Sequence, residues 1–163
     1  MGAMHRRMDI MRFVCDGLDL SDAVLKVIKA IGSRTTSTLL EGIKLEAHED
    51  YVQLSATDLE LFLSRKIPAD VKIEGCTVVP GKLFADFVRK LTGEKIEIDL
   101  NEKQQMTIKY KDSEGVLQCM TAEDFPSVVG VNEENSFSIV NAELKDLIVK
   151  SSFSVATDDV RPI

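Results

Sequence analysis

Histidine is scarce in this sequence: among 163 residues only His5 and His48 occur, and neither has a cysteine nearby. The three cysteines, Cys15, Cys76 and Cys119, are set far apart. Together these residues offer no cluster with zinc-site spacing, and neither a metal site nor a cofactor is expected. An odd number of widely spaced cysteines also excludes a disulfide framework. The thiols read as buried and reduced, Cys15 and Cys76 lying inside apolar strand patterns. No apolar run approaches the ~20 residues that a membrane-spanning helix needs. Residues 1–10, MGAMHRRMDI, lack the apolar segment of a secretory signal and read as a tag or leader, with Met11 the more natural start. A cytoplasmic location without a membrane partner is the resulting expectation. Glycine-rich phosphate loops are missing. Ser151, Ser152 and Ser154 have no histidine partner for nucleophilic catalysis. Positive charge is also in deficit: the net charge of −7 argues against a protein that coats nucleic acid generally.

What the sequence does contain is a repeat. Phe13 and Cys15, followed by Leu20, Val24, Leu25 and Lys26, return 63 positions later as Cys76 and Val78, followed by Leu83, Phe87, Val88 and Arg89. A further 61 positions on stand Phe137 and Ile139, followed by Leu144, Ile148, Val149 and Lys150. Self-similarity of this kind marks repeated modules, here an apolar strand running into an amphipathic helix. The third copy has a strand and a helix but no sheet to pack on, so further chain beyond Ile163 is expected.

Helical periodicity predicts a first helix over 18–31. Leu20, Val24, Val27, Ile28 and Ile31 form its apolar stripe, with Lys26 and Lys29 off the stripe. Strand patterns follow at 39–47, 50–56 and 59–67, where Pro68 is expected to stop the run. The second module opens at 76–79, and Pro80 and Gly81 lead into a helix over 81–91. Its apolar face is Leu83, Phe84, Phe87, Val88 and Leu91; its other face is Lys82, Asp86, Arg89 and Lys90. Strands are expected at 94–100, 105–111 and 115–121, where alternation such as Ile96-Glu97-Ile98-Asp99-Leu100 marks a sheet with one wet face. The fold class is therefore α+β, with βαβββ written twice. Residues 122–135 read as a polar, acidic connector containing Pro126 and Gly130. This places one domain over 11–130 and the incomplete start of a second over 131–163, with a helix at 141–153.

Two constellations compete to carry function. Asp58 and Glu60, in Thr57-Asp58-Leu59-Glu60, stand two apart, so on a strand their carboxylates would share a face. Such a pair can hold metal ions for a nuclease or phosphotransferase, although polar residues at a turn between strands are common without any catalytic role. The second constellation is the basic helix faces. The two helical stretches, 18–34 and 81–91, together carry +3, which leaves −10 for the rest of the chain. A solvated polar face is the plain reading of such bases, but a base at the same place in each module (Lys26, Arg89, Lys150) would form one positive surface if the helices stacked. Lysine and arginine there would contact phosphates without reading bases. A protein-interaction domain with no nucleic acid is the third possibility.

At this point the chain resembles a known family. Met11-Arg12-Phe13, Ser33-Arg34-Thr35-Thr36 with Leu39-Leu40-Glu41-Gly42-Ile43, and Thr57-Asp58-Leu59-Glu60 are similar to stretches of the bacterial DNA polymerase III beta subunit, the sliding clamp. So are Val79-Pro80-Gly81-Lys82-Leu83-Phe84, Asp124-Phe125-Pro126, and Phe153-Ser154-Val155-Ala156-Thr157 through Val160-Arg161-Pro162-Ile163. Order and spacing over Met11 to Ile163 carry the match more than any one motif. The resemblance implies a clamp fold with helices on the inner face and antiparallel sheets outside. It implies a homodimeric ring around double-stranded DNA, with no reaction of its own, that tethers the DNA polymerase III catalytic subunit and is served by a clamp loader. DNA contacts are implied at Arg34 and Lys82, beside the bases Lys26, Lys29 and Arg89 of the helix faces. Arg161 is implied at the rim of a partner-peptide pocket. A subunit interface is implied along strand 115–121, with Leu117 and Phe87, and Gly115 stands where some relatives have a large apolar residue.

Overall fold

The computed structural model describes residues 10–32, 37–127 and 136–155. They belong to two compact units, 1–128 and 129–163. The first runs β1 (Met11–Asp16), α1 (Gly17–Val27), β2 (Gly42–His48), β3 (Tyr51–Thr57), β4 (Phe62–Ile73), β5 (Gly75–Pro80), α2 (Gly81–Val88), β6 (Lys95–Leu100), β7 (Gln105–Tyr110) and β8 (Ser113–Gln118). Short 3-10 turns at Ile28–Ala30 and Thr38–Glu41 follow α1 and precede β2. This is the βαβββ order expected, twice over.

All eight strands join one antiparallel sheet in the order β5-β2-β3-β4-β1-β6-β7-β8. The two modules exchange their first strands: β1 pairs with β6 of the second module, and β5 pairs with β2 of the first. The long β4 joins the halves. It pairs with β3 up to Pro68 and with β1 from Ala69 onward. Pro68 therefore does not end the strand, as the sequence suggested. It sits where the ladder changes partner, a place that tolerates a residue without an amide donor.

The far ends of the sheet meet in turn. Val78 and Met120 exchange two backbone hydrogen bonds of 2.9 and 2.8 Å, and the buried Thr77 hydroxyl bonds to Gln104 Oε1 at 2.9 Å and to the Met120 carbonyl at 3.1 Å. A small second core of Cys76, Val78, Ala122 and Phe125 seals this seam. The stretch read as a polar, acidic connector thus contributes two core residues, Ala122 and Phe125.

The main core fills the space between the sheet and both helices. Phe13, Leu20, Val24, Ile43, Leu45, Leu54, Phe84, Val88, Ile96, Ile98 and Ile108 are fully buried within it. Alternate strand positions such as Lys44, Glu46, Glu97 and Asp99 face the other way, as expected for a sheet with one wet side. All three thiols are buried. Burial pushes the Cys15 thiol up to about 12 and the Cys119 thiol up to about 11. Both thiols should resist alkylation at pH 8 until the unit unfolds, which labelling with iodoacetamide across a urea series will read. Because the unfolded chain releases these protons first, stability should fall as pH rises from about 9, toward about 12 for Cys15 and about 11 for Cys119, by up to about 1.4 kcal/mol per pH unit for each thiol.

In the second unit, α3 (Asn141–Ser152) stands close to the expected 141–153. Residues 136–140 form no strand there, a departure from the sequence reading: a strand needs a ladder partner, and none lies among the described residues of that unit.

Candidate nucleic-acid interface

Helix packing decides which way the bases point. α1 starts at Asp16, whose carboxylate accepts from the amides of Leu18 (2.8 Å) and Asp19 (3.2 Å). It buries Leu20, Ala23, Val24 and Val27, which turns Lys26 and Lys29 to solvent. α2 buries Phe84, Ala85 and Val88, leaving Lys82, Asp86, Arg89 and Lys90 exposed. The helices pack against one another. α2 begins in very close contact: a β-carbon at Gly81 would lie 2.4 Å from Ile31 Cδ1 and 2.9 Å from the Glu41 carbonyl, so only glycine fits. Thr38 and Glu41 line the same hollow as Lys82. Arg34 and Arg161 lie outside the described residues.

The structure moves the repeat by one position. An offset of 63 sets the exposed Leu83 on the buried Leu20. Strand and helix starts, Met11 with Gly75 and Gly17 with Gly81, match at 64 instead. At that offset the buried Leu20, Val24 and Val27 coincide with the buried Phe84, Val88 and Leu91. The base equivalent to Lys26 is therefore Lys90, not Arg89. Helix α3 starts 60 residues after α2 and keeps the series with Lys150.

The bases are not all available. Lys26 Nζ donates to Asp22 at 2.6 Å and Arg89 Nη1 to Asp86 at 2.8 Å. The Lys26 ammonium holds the Asp22 carboxyl below the usual carboxylate range. Among the described residues, Lys29, Lys82 and Lys90 are in no ion pair. Their side chains are exposed to solvent.

The carboxylate pair fares differently. Asp58 and Glu60 lie in the turn before β4, not on a strand. Asp58 Oδ1 accepts from the amides of Leu61 (2.7 Å) and Glu60 (3.1 Å), and the Leu61 amide leads in holding its carboxyl below the usual range. Thr57 Oγ1 accepts from the Leu59 amide at 2.9 Å, which fixes Leu59 at a left-handed φ of 79°. These side chains build a turn, and among the described residues no group of three metal-ligating side chains gathers. A nuclease or phosphotransferase site there has no support.

Phe87 and Leu117 are half-buried and pack on the main core. The ring of Phe87 covers Gly115 on the outer strand β8: a β-carbon there would lie 3.1 Å from Phe87 Cε2. A helix residue fills the space that a large side chain at 115 would take.

Residues 11–129 match the family described as DNA polymerase III beta subunit, N-terminal domain. The chain belongs to the DNA polymerase III beta subunit family. Its relatives include the beta sliding clamp of Staphylococcus epidermidis, 32% identical over 144 residues that span 83% of this chain and 38% of that protein. The DNA polymerase sliding clamp of Bacillus subtilis superposes with a TM-score of 0.88 at 28% identity, over 93% of this chain and 42% of that one. The sliding clamp of Bartonella birtlesii, solved bound to griselimycin, gives 0.87 at 28% identity, over 93% and 41%. The beta-subunit chain thus has the sliding-clamp fold and spans about two fifths of the length of these relatives. No helix among its described residues is long and apolar enough to cross a membrane, which says nothing of β-barrels.

Proposed function

We propose that this chain serves as part of a DNA sliding clamp: a non-catalytic processivity factor that encircles duplex DNA and tethers DNA polymerase III during replication. The observation that carries the proposal is that Lys29, Lys82 and Lys90, on α2 or in the turns that directly follow α1 and α2, are exposed in an otherwise acidic chain of this family. Helices are the elements that would face DNA, and Lys26, Arg89 and Arg34 would add to the same surface. Acidic residues elsewhere repel phosphates and confine DNA to that side. Enclosure explains how loose, sequence-independent contacts give lasting attachment. The ring would close between two copies, with β8 offering an open sheet edge and Phe87 and Leu117 an apolar contact. Arg161 would stand at the rim of the pocket that receives peptides of the polymerase and the clamp loader. The domain limits 11–130 and 131–163 fit this assembly, as does membership of a nucleotidyltransferase holoenzyme that works in the cytoplasm.

The test uses the full-length protein. Light scattering should find a dimer, and on a short labelled duplex Lys82→Ala should lower the salt slope of log K by about 0.9. Since affinity scales as salt to that power, the loss at 0.1 M is about eightfold for one phosphate contact. A monomer whose duplex binding ignores both salt and Lys82 would contradict the proposal.

A further inference from the structure

The corrected repeat exposes a motif that the 63-residue register hides. Asp22-Ala23-Val24-Leu25-Lys26, Asp86-Phe87-Val88-Arg89-Lys90 and Asp146-Leu147-Ile148-Val149-Lys150 occupy equivalent positions in the three modules, with Arg89 and Lys90 in the turn that ends α2. Each places a carboxylate one turn before a lysine on the exposed side. In α1 and α3 the pair is closed, with Lys26 on Asp22 and Lys150 on Asp146, both at 2.6 Å. In α2, Asp86 takes Arg89 at 2.8 Å instead. The carboxylate is therefore engaged in all three helices, and all six partners are well exposed.

An i,i+4 pair can simply support its helix, by about 0.3–0.5 kcal/mol. The placement asks for more. These helices carry the proposed DNA surface, where an acid is the least expected residue. Asp22 and Asp86 nonetheless stand on the exposed sides of α1 and α2, each paired to a base.

We propose that Asp22 and Asp86 are built-in counter-ions that compete with DNA phosphates for Lys26 and Arg89, so that a phosphate contact by either base forms by exchanging one anion for another. This inference rests on the reading of the helix faces as the DNA surface. An exposed ion pair has a free energy near zero to about 1 kcal/mol, comparable with one phosphate contact at physiological salt. Exchange between two partners of similar strength is close to balanced at every step along the duplex. No position on DNA then becomes a trap, and a protein that holds on by enclosure keeps its freedom to move. Asp146 would do the same in the second unit.

The experiment is a salt titration of full-length protein on a short fluorescent duplex, read by anisotropy. Asp22→Asn with Asp86→Asn should tighten binding at 0.1 M salt by about two- to fivefold per site. The slope of log K should steepen by up to about 0.9 for each base that gains a phosphate. Asp19→Asn removes the same charge from the outer face of α1, where Asp19 holds no base, and should change affinity less than twofold. If Asp22→Asn alone equals Asp19→Asn, general repulsion explains the acids and the counter-ion role is wrong. If the double variant shifts only the melting temperature, the pairs serve the helices alone. If Lys29→Ala, Lys82→Ala and Lys90→Ala together leave the slope unchanged, the DNA surface itself has been misplaced, a result separable from the other two.

Discussion

Replacing Lys29, Lys82 and Lys90 by alanine together should lower the salt slope of duplex binding by about 2.7 and reduce affinity at 0.1 M salt by about 500-fold. The three side chains are exposed, and none is tied to a carboxylate among the described residues. Each is free to replace one condensed counterion on DNA, and release of that ion is what makes binding salt-dependent. Lys26 and Arg89 must first leave Asp22 and Asp86, so their alanine variants should each lose less than Lys82→Ala. The triple variant should melt like the parent, because surface substitutions away from caps and cores stay within about 0.5 kcal/mol. A filter or anisotropy titration at four salt concentrations reads both slope and affinity. A parallel downward shift with the slope unchanged would show that these lysines act on something other than phosphates.

The largest stability effect should come from Phe84→Ala, at about 3–5 kcal/mol, equivalent to a drop of roughly 10–20 °C in Tm. Phe84 is fully buried in the main core and is one of its two largest side chains. It lies on a helix of eight residues, too short to persist without its packed face. Losing the ring opens a cavity between α2 and the sheet and loosens the helix that presents Lys82 and Lys90. The neighbouring Leu83 is 60% exposed, and Leu83→Ala should change stability by no more than about 0.5 kcal/mol. Thermal denaturation of the two variants therefore also tests the repeat. With Leu83 equivalent to Leu20 the effects would be reversed; with Phe84 equivalent to Leu20 they fall as stated.

Adjacent apolar residues explain why the sequence could not settle that register. Leu83-Phe84 and Phe87-Val88 are apolar doublets, so a shift of one still sets apolar on apolar, and the neighbouring bases Arg89 and Lys90 hide the shift in the same way. Burial distinguishes the members of each doublet, and burial belongs to the packed helix. The candidate site was legible to the same depth. That the helix faces are basic is written in their periodicity, but which bases are held by Asp22 and Asp86 is a matter of side-chain geometry. The carboxylates of Asp58 and Glu60 misled for a related reason: two acids two apart share a face only on a strand, and here Asp58 caps a turn whose amides take up its charge.

The sequence by itself determined the elements of the first unit: two βαβββ modules, amphipathic helices, and strands with one wet face. These depend on local periodicity, which residues a few positions apart impose on each other. Tertiary structure alone decided the rest. The exchange of β1 and β5 between modules, the passage of β4 through Pro68, the closure at Val78 and Met120, and the Phe87 ring over Gly115 are all long-range pairings. Any strand with the right alternation can pair with any other. The choice among them is made by how one shared core is filled, and no short window of sequence contains that core.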